Sequence, residues 1–203
     1  MHPRVTSSKP AAPEPFSQFT RWFEEAKARV PIDPNAMLLS TVGADGRPSA
    51  RVVLLKDFSP EGFVFYTNLQ SRKGHDLERV PFAALTFHWR ELERQVRIEG
   101  AVEPVTGAEA DAYFASRARG SQVGAWASRQ SEVLERREIL EARVAEVEAR
   151  YAGATIPRPP FWSGLRVRPD RIELWTARVS RLHDRQVFRR EGNGPWQVET
   201  LFP

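Results

Sequence analysis

The stretch QVRIEGAVEPVTGAEADAYFASRA, residues 95–118, changes its period half-way. Up to Val105 polar and apolar residues alternate, as on a half-buried strand; beyond it the apolar residues fall three and four apart, as on a helix. Thr106 and Glu109 mark the change. A threonine at the N-cap and a glutamate three residues on satisfy each other's backbone donors, which is a capping box. The helix so opened is expected to run to about Ala118.

Upstream, Phe16–Arg29 reads as a short amphipathic helix, with Phe16, Phe19, Trp22, Phe23 and Ala26 at helical spacing and Pro31 and Pro34 ending it. Strand signals follow at Met37–Val42, Ser49–Lys56 and Phe63–Asn68, separated by turns at Gly43–Gly46 and Asp57–Gly62. Ser71–Val80 is a short helix closed by Pro81, and Phe82–Trp89 is a further strand. Downstream, a longer helix is expected from Ser131 to Tyr151, with Val133, Leu140, Val144, Val147 and Tyr151 as its buried stripe. After the Pro-rich 156–160 come strands at Leu165–Arg168, Arg171–Thr176 and Gln186–Arg190, then a Gly192-Asn193-Gly194 hairpin turn into Trp196–Leu201. The order helix, strands, helices, strands argues an α+β antiparallel barrel rather than a doubly wound α/β sheet. Neither group of strands closes a barrel alone, so both belong to one sheet system.

The 203 residues suit one domain, residues 16–203, behind a Pro/Ser/Ala-rich tail at 1–15 that is expected to be disordered. That tail has no apolar core of a signal peptide, and no apolar run approaches the ~20 residues of a membrane span. A cytoplasmic protein without a membrane role is the default expectation. Cysteine is absent, which excludes disulfides, thiolate metal sites and a cysteine nucleophile. The four histidines show no metal-ligand spacing, and neither a Gly-x-Gly-x-x-Gly nor a Gly-Lys-Ser/Thr loop occurs. The formal charge is +4, with four lysines among 30 basic residues. Such a balance fits nucleic-acid binding, solvated surface arginines, or a few arginines gripping a phosphorylated small molecule.

Five clusters carry chemistry. Arg51 and Lys56 bracket an apolar strand, yet strand alternation points them to opposite faces unless a bulge intervenes. Tyr66, Thr67, Ser71, Arg72 and Lys73 place hydroxyls and cations at a helix N-terminus, where anions are favoured and where a capped helix with a charged first turn reads equally well. Gln95 sits inside a strand and can pair a polar ring edge or face solvent. Tyr113, Arg117 and Ser121 make a plausible phosphate clamp, or a surface stack, and Gln130-Ser131 opens the next helix. Trp175 with Arg181-Leu182-His183-Asp184-Arg185 is too dense in function-bearing side chains for a plain turn.

In their order and spacing these clusters resemble the pyridoxamine/pyridoxine 5′-phosphate oxidase family, from about Phe16 to Pro203. The most specific stretches are 113–117, 121–131, Ile172-Glu173-Leu174-Trp175 and 181–185. The resemblance implies a split β-barrel homodimer with FMN at the subunit interface. The family's FMN positions fall on Arg51, Val52, Val53, Leu54, Leu55, Lys56, Tyr66, Thr67, Arg72, Lys73, Gln95, Gln130, Ser131, Trp175 and Arg185. Its substrate positions fall on Lys56, Tyr113, Arg117, Ser121, Arg181, Leu182 and His183, with Arg181 and His183 expected over the substrate as the catalytic residues. The implied reaction oxidises pyridoxamine or pyridoxine 5′-phosphate with O2 to pyridoxal 5′-phosphate, releasing H2O2, and needs no metal. Thr176 and Thr200 depart from the usual residues, and the tail lacks the Arg and Tyr that many members fold over the substrate. The rivals are an FMN oxidase of the phenazine type, a non-catalytic flavin- or haem-binding split barrel, and a nucleic-acid binder.

Overall fold

In the computed structural model, which describes residues 15–203, the alternating stretches become nine strands of one antiparallel sheet. Strands β1 (Ala36–Val42), β2 (Pro48–Leu54), β3 (Asp57–Ser59), β4 (Gly62–Asn68), β5 (Phe82–Trp89), β6 (Arg94–Pro104) and β7 (Trp162–Thr176) run side by side in the order β2-β1-β5-β6-β7-β4-β3. Strands β8 (Asp184–Arg189) and β9 (Gln197–Thr200) extend the system from β7. The strands before and after the helices therefore share one sheet, as the chain order requires. The expected tail lies outside the described residues except for Pro15, which is buried and opens the first helix.

That helix, α1 (Pro15–Arg29), holds the curled sheet together. Phe19 is fully buried, its ring 4.9 Å from Phe58, 5.0 Å from Phe63 and 5.4 Å from Phe87. Those rings come from β3, β4 and β5, so one side chain ties together strands that lie apart in the sheet order. Removing a buried phenylalanine of this kind costs about 3–5 kcal/mol.

Three expectations are corrected. Residues 165–176 are one continuous strand, not two. Pro169 pairs with Gly100 beside a register shift between Glu99 and Gly100, where the ladder is already interrupted and a missing N–H costs little. Residues 57–62 hold a short strand and a tight turn rather than a turn alone. The helical region divides differently as well. The capping box forms, with Thr106 N–H donating to Glu109 at 2.8 Å and Glu109 N–H to Thr106 Oγ1 at 3.2 Å. Helix α3 (Gly107–Ser116) then ends, a separate α4 (Arg119–Ala127) follows, and α5 starts only at Arg137 and runs to Arg150. Ser131 adopts a left-handed φ of 78°, which no helix accommodates, and Val133 is 93% exposed. Val144, Val147 and Tyr151 do pack, half-buried, against Phe114, Val123, Ile156 and Trp162. Among the described residues no helix is long and apolar enough to cross a membrane.

Candidate active site

A cavity of about 1000 Å³ opens between β2, β4, the N-terminus of helix α2 (Arg72–Arg79) and the α3–α4 corner. Its wall carries five cations, Arg51, Lys56, Arg72, Lys73 and Arg117, and no carboxylate. Arg51 and Lys56 both reach it, and no bulge is needed. Strand β2 ends at Leu54, after which Leu55 N–H bonds to Asn35 and Lys56 N–H to Val64, so the chain turns and alternation lapses. Val52, Val53 and Leu54 also line the cavity, whereas Leu55 is buried in the core.

Lys73 is the most confined of the five. Its ammonium donates to Gln130 Oε1 at 2.7 Å and to Thr67 Oγ1 and Ser71 Oγ at 3.1 Å each. Burial, with the charge of Arg51 second, pushes its pKa down to about 8. Ser71 caps α2, its Oγ accepting from Gly74 N–H at 3.4 Å. Ser131 is not the cap of α5; its left-handed turn carries its hydroxyl to the Arg72 N–H at 3.2 Å. Arg51 is pinned by Thr41 and Ser49 at 2.7 Å each, with Asp76 behind it at 3.7 Å.

Tyr113, Arg117 and Ser121 converge on the same cavity, though not as one helical face. Arg117 lies just past the end of α3 with extended backbone, and Ser121 belongs to α4. One guanidinium nitrogen of Arg117, Nη1, is shut off from solvent without a hydrogen-bond partner. Burial lowers the pKa of Arg117. Among the described residues its charge meets no carboxylate lining the cavity.

The remaining predicted residues form a second patch that does not line this cavity. Gln95 pairs with Trp175 across β6–β7, and Trp175 with Arg185 across β7–β8, so the three make one transverse row. His183 lies against Trp175, ring centroids 4.5 Å apart. Its Nδ1 accepts from the Arg178 N–H at 3.2 Å, which leaves Nε2 as the N–H of the neutral ring. Ser180 and Arg181 both have left-handed φ, near 60°, a strained pair that presents Arg181 and Leu182 to solvent. Asp184 holds Arg178 at 2.6 Å.

Two residues with no assigned role prove central. Glu173, 1% exposed, accepts from Arg171 at 2.7 Å, Arg185 at 2.8 Å and Arg97 at 3.5 Å. Burial pushes its carboxyl up, but the hydrogen bonds from Arg185 and Arg171 outweigh it and the net shift is downward. An acid between Ile172 and Leu174, with Arg171 two residues before it, was the available signal. Trp162, the first residue of β7, lines the cavity; only its place after the Pro-rich segment hinted at a structural role.

Residues 23–151 match the family described as pyridoxamine 5′-phosphate oxidase. The chain belongs to that family. Residues 162–203, which carry all of the second patch except Gln95, match the family's pyridoxine 5′-phosphate oxidase C-terminal dimerisation region. A pyridoxine/pyridoxamine 5′-phosphate oxidase of Myxococcus xanthus is 64% identical over 191 residues, 94% of this chain and 92% of the relative. One of Rubrobacter xylanophilus is 58% identical over 193 residues, 95% of this chain and 88% of the relative. Among solved structures, PhzG of Burkholderia lata, in complex with tetrahydrophenazine-1-carboxylic acid, superposes with a TM-score of 0.88 at 34% identity, covering 96% of this chain and 95% of that one. An FMN-binding protein of Nostoc punctiforme, 15% identical with a TM-score of 0.76 over 95% of this chain and 100% of its own, shares the fold.

Proposed function

We propose that this family member is an FMN-dependent oxidase that converts pyridoxine or pyridoxamine 5′-phosphate to pyridoxal 5′-phosphate, working as a homodimer. The observation that carries the reading is the wall of five cations facing no carboxylate, with one arginine nitrogen left unpartnered. A single phosphate dianion does not require five cations; a cofactor phosphate and a substrate phosphate together do. The donor set divides accordingly. Arg51, Arg72, Lys73 and Ser131, gathered at the α2 N-terminus, suit the FMN phosphate. Lys56, Tyr113, Arg117 and Ser121 suit the phosphate of the substrate.

Trp175 and Arg185, with Arg181, Leu182 and His183 beyond them, belong to the dimerisation region, Gln95 joins their row from β6, and the whole row lies off the cavity of its own chain. Two copies in a homodimer complete each other's sites, the row of one meeting the cavity of the other. An interface of that kind buries roughly 2,000 Å² or more.

Bound FMN supplies the two-electron acceptor, with O2 as the final oxidant. Overall, the alcohol and O2 give the aldehyde and H2O2; the amine, O2 and water give the aldehyde, NH3 and H2O2. The chain's own part is binding and orientation, which supply much of the rate. The phosphate clamp fixes one end of the substrate. Arg181 packs on the pyridine ring, and His183 donates from Nε2 to its polar groups, Nδ1 being held by Arg178. The relative solved with a phenazine carboxylic acid suggests a phosphate-free substrate. A lone carboxylate, however, leaves most of the Arg117 side of the cavity uncompensated.

The test is anaerobic flavin bleaching by pyridoxine 5′-phosphate in wild type, Arg181→Ala and His183→Ala. Wild type bleaches, and both variants keep FMN but bleach at least ten-fold more slowly, Arg181→Ala the slower. A wild-type protein that binds no FMN, or is not bleached, defeats the assignment; full-rate bleaching in Arg181→Ala defeats the role of that residue alone.

A further inference from the structure

We infer that Trp162 is a positioning residue for the phosphate clamp: its indole face holds the Arg117 guanidinium aimed into the cavity without consuming its donors. The inference rests on the reading of Arg117 as the substrate-phosphate cation. The guanidinium carbon of Arg117 lies 4.7 Å from the Trp162 ring centroid and 5.7 Å from that of Phe114. Among the described residues Arg117 makes no ion pair, and its Nη1 has no hydrogen-bond partner. The other well-buried cations of the site are held by groups that occupy their N–H donors, Lys73 by three side-chain oxygens and Arg51 by two hydroxyls. An aromatic face attracts a cation through its quadrupole while accepting none of the in-plane N–H bonds. A carboxylate in its place would neutralise the charge and take up the fork that a phosphate needs.

The indole is itself fixed. Trp162 is 6% exposed and pairs with Asn68 across β4–β7, and its carbonyl accepts from Arg158 at 2.7 Å. Phe114 meets it edge-on at 5.1 Å. Tyr66 stacks on Trp162 at 5.3 Å and on Tyr113 at 3.9 Å, so the same platform sets the Tyr113 ring of the clamp. Gly164 keeps room for this stack, since a Cβ there would sit 2.7 Å from the Tyr66 ring. The platform therefore couples the start of β7 to the α3–α4 corner, and its output is the direction of the Arg117 fork.

The experiment compares Trp162→Leu, Trp162→Phe and Arg117→Ala as FMN-loaded proteins. Calorimetry measures the affinity for pyridoxal 5′-phosphate and for pyridoxal, and steady-state kinetics separates KM from kcat for pyridoxine 5′-phosphate. Trp162→Leu is expected to weaken pyridoxal 5′-phosphate binding and raise KM by about ten-fold, the scale of a desolvated cation–π contact. FMN content, kcat and pyridoxal affinity stay within two-fold, and Trp162→Phe, which keeps an aromatic face, recovers much of the loss. In an Arg117→Ala background Trp162→Leu has no further effect. Equal losses for phosphorylated and unphosphorylated ligand, or unchanged affinity for pyridoxal 5′-phosphate, overturn the inference. Should Trp162→Leu fail to fold, Trp162→Met takes its place, and an unchanged affinity for pyridoxal 5′-phosphate in that variant overturns the inference. Arg117→Ala keeps the two readings apart: if it binds pyridoxal 5′-phosphate as wild type does, the clamp assignment itself falls.

Discussion

Two clusters of basic side chains sit in this fold and do opposite things. On the β6–β7–β8 face, Arg97, Arg171 and Arg185 surround the buried carboxylate of Glu173, and Glu99 adds a second acid 2.7 Å from Arg171. In the cavity wall five cations face no lining carboxylate among the described residues, and only Arg51 has an acid behind it, Asp76 at 3.7 Å. The first cluster carries its own counter-charge, three arginines sharing two carboxylates. The second is left short of negative charge, which is what the proposed phosphate ligands would supply. Arginine content is the same signal in both, and what separates them is whether the chain provides the counter-charge.

The largest effect should come from breaking the compensated cluster. Glu173→Gln leaves Arg171 and Arg185, with side chains 16% and 25% exposed, facing a neutral amide. Removing one partner of such a buried pair should cost about 3 kcal/mol, read by urea unfolding of the dimer. The carboxyl is held below its ordinary range, so its contribution is present at neutral pH and lost as pH falls through the folded-state value. Glu173→Gln should therefore also flatten the acid limb of the stability curve. A loss below about 1 kcal/mol would mean that the arginines do not depend on Glu173.

The uncompensated cluster should respond to pH at the alkaline end. Lys73 loses its proton as pH rises through about 8 in the ligand-free protein. From there to its unfolded value of 10.5 the unfolded chain binds more protons, so ligand-free stability rises with pH across that window. FMN affinity should move the other way, weakening about ten-fold between roughly pH 7.5 and 9.5, as a charge-assisted contact is lost. Fluorescence titration of FMN measures this, and Lys73→Met should abolish most of the dependence. An equally steep fall in Lys73→Met would place the titrating group elsewhere.

The smallest effect sharpens the contrast most. Arg117→Met removes a half-buried cation that has no counter-ion and one stranded nitrogen. Ligand-free stability should hold or rise by up to about 1 kcal/mol, while binding of the phosphorylated substrate is lost. Thermal unfolding without ligand checks this. A drop comparable to that of Glu173→Gln would show the two clusters to be structurally equivalent.

Much of this was legible in local pattern. The change of period at Thr106 and the capping box were read from four residues, because a cap is satisfied within its own turn. The α5 boundary was not legible. Ser131 is drawn out of helical geometry by a contact with Arg72, 59 residues away, which no local propensity reports. Residues 165–176 read as two strands because Pro169 breaks the local pattern, whereas what keeps them one strand is pairing with β6, where Asp170 is the extra residue opposite the Glu99–Gly100 step.

The site divides in the same manner. Residue type and order along the chain placed it in a family and marked Arg51, Lys73, Tyr113 and Arg117, since phosphate chemistry restricts which side chains serve. Sequence order could not say that Arg51 and Lys56 share a wall, because that follows from where β2 ends and the chain turns. Nor could it say that Trp162 lies under Arg117, or that Glu173 claims three arginines. Those facts depend on side chains brought together from strands and corners distant in sequence, and the charge balance of each cluster exists only once they meet.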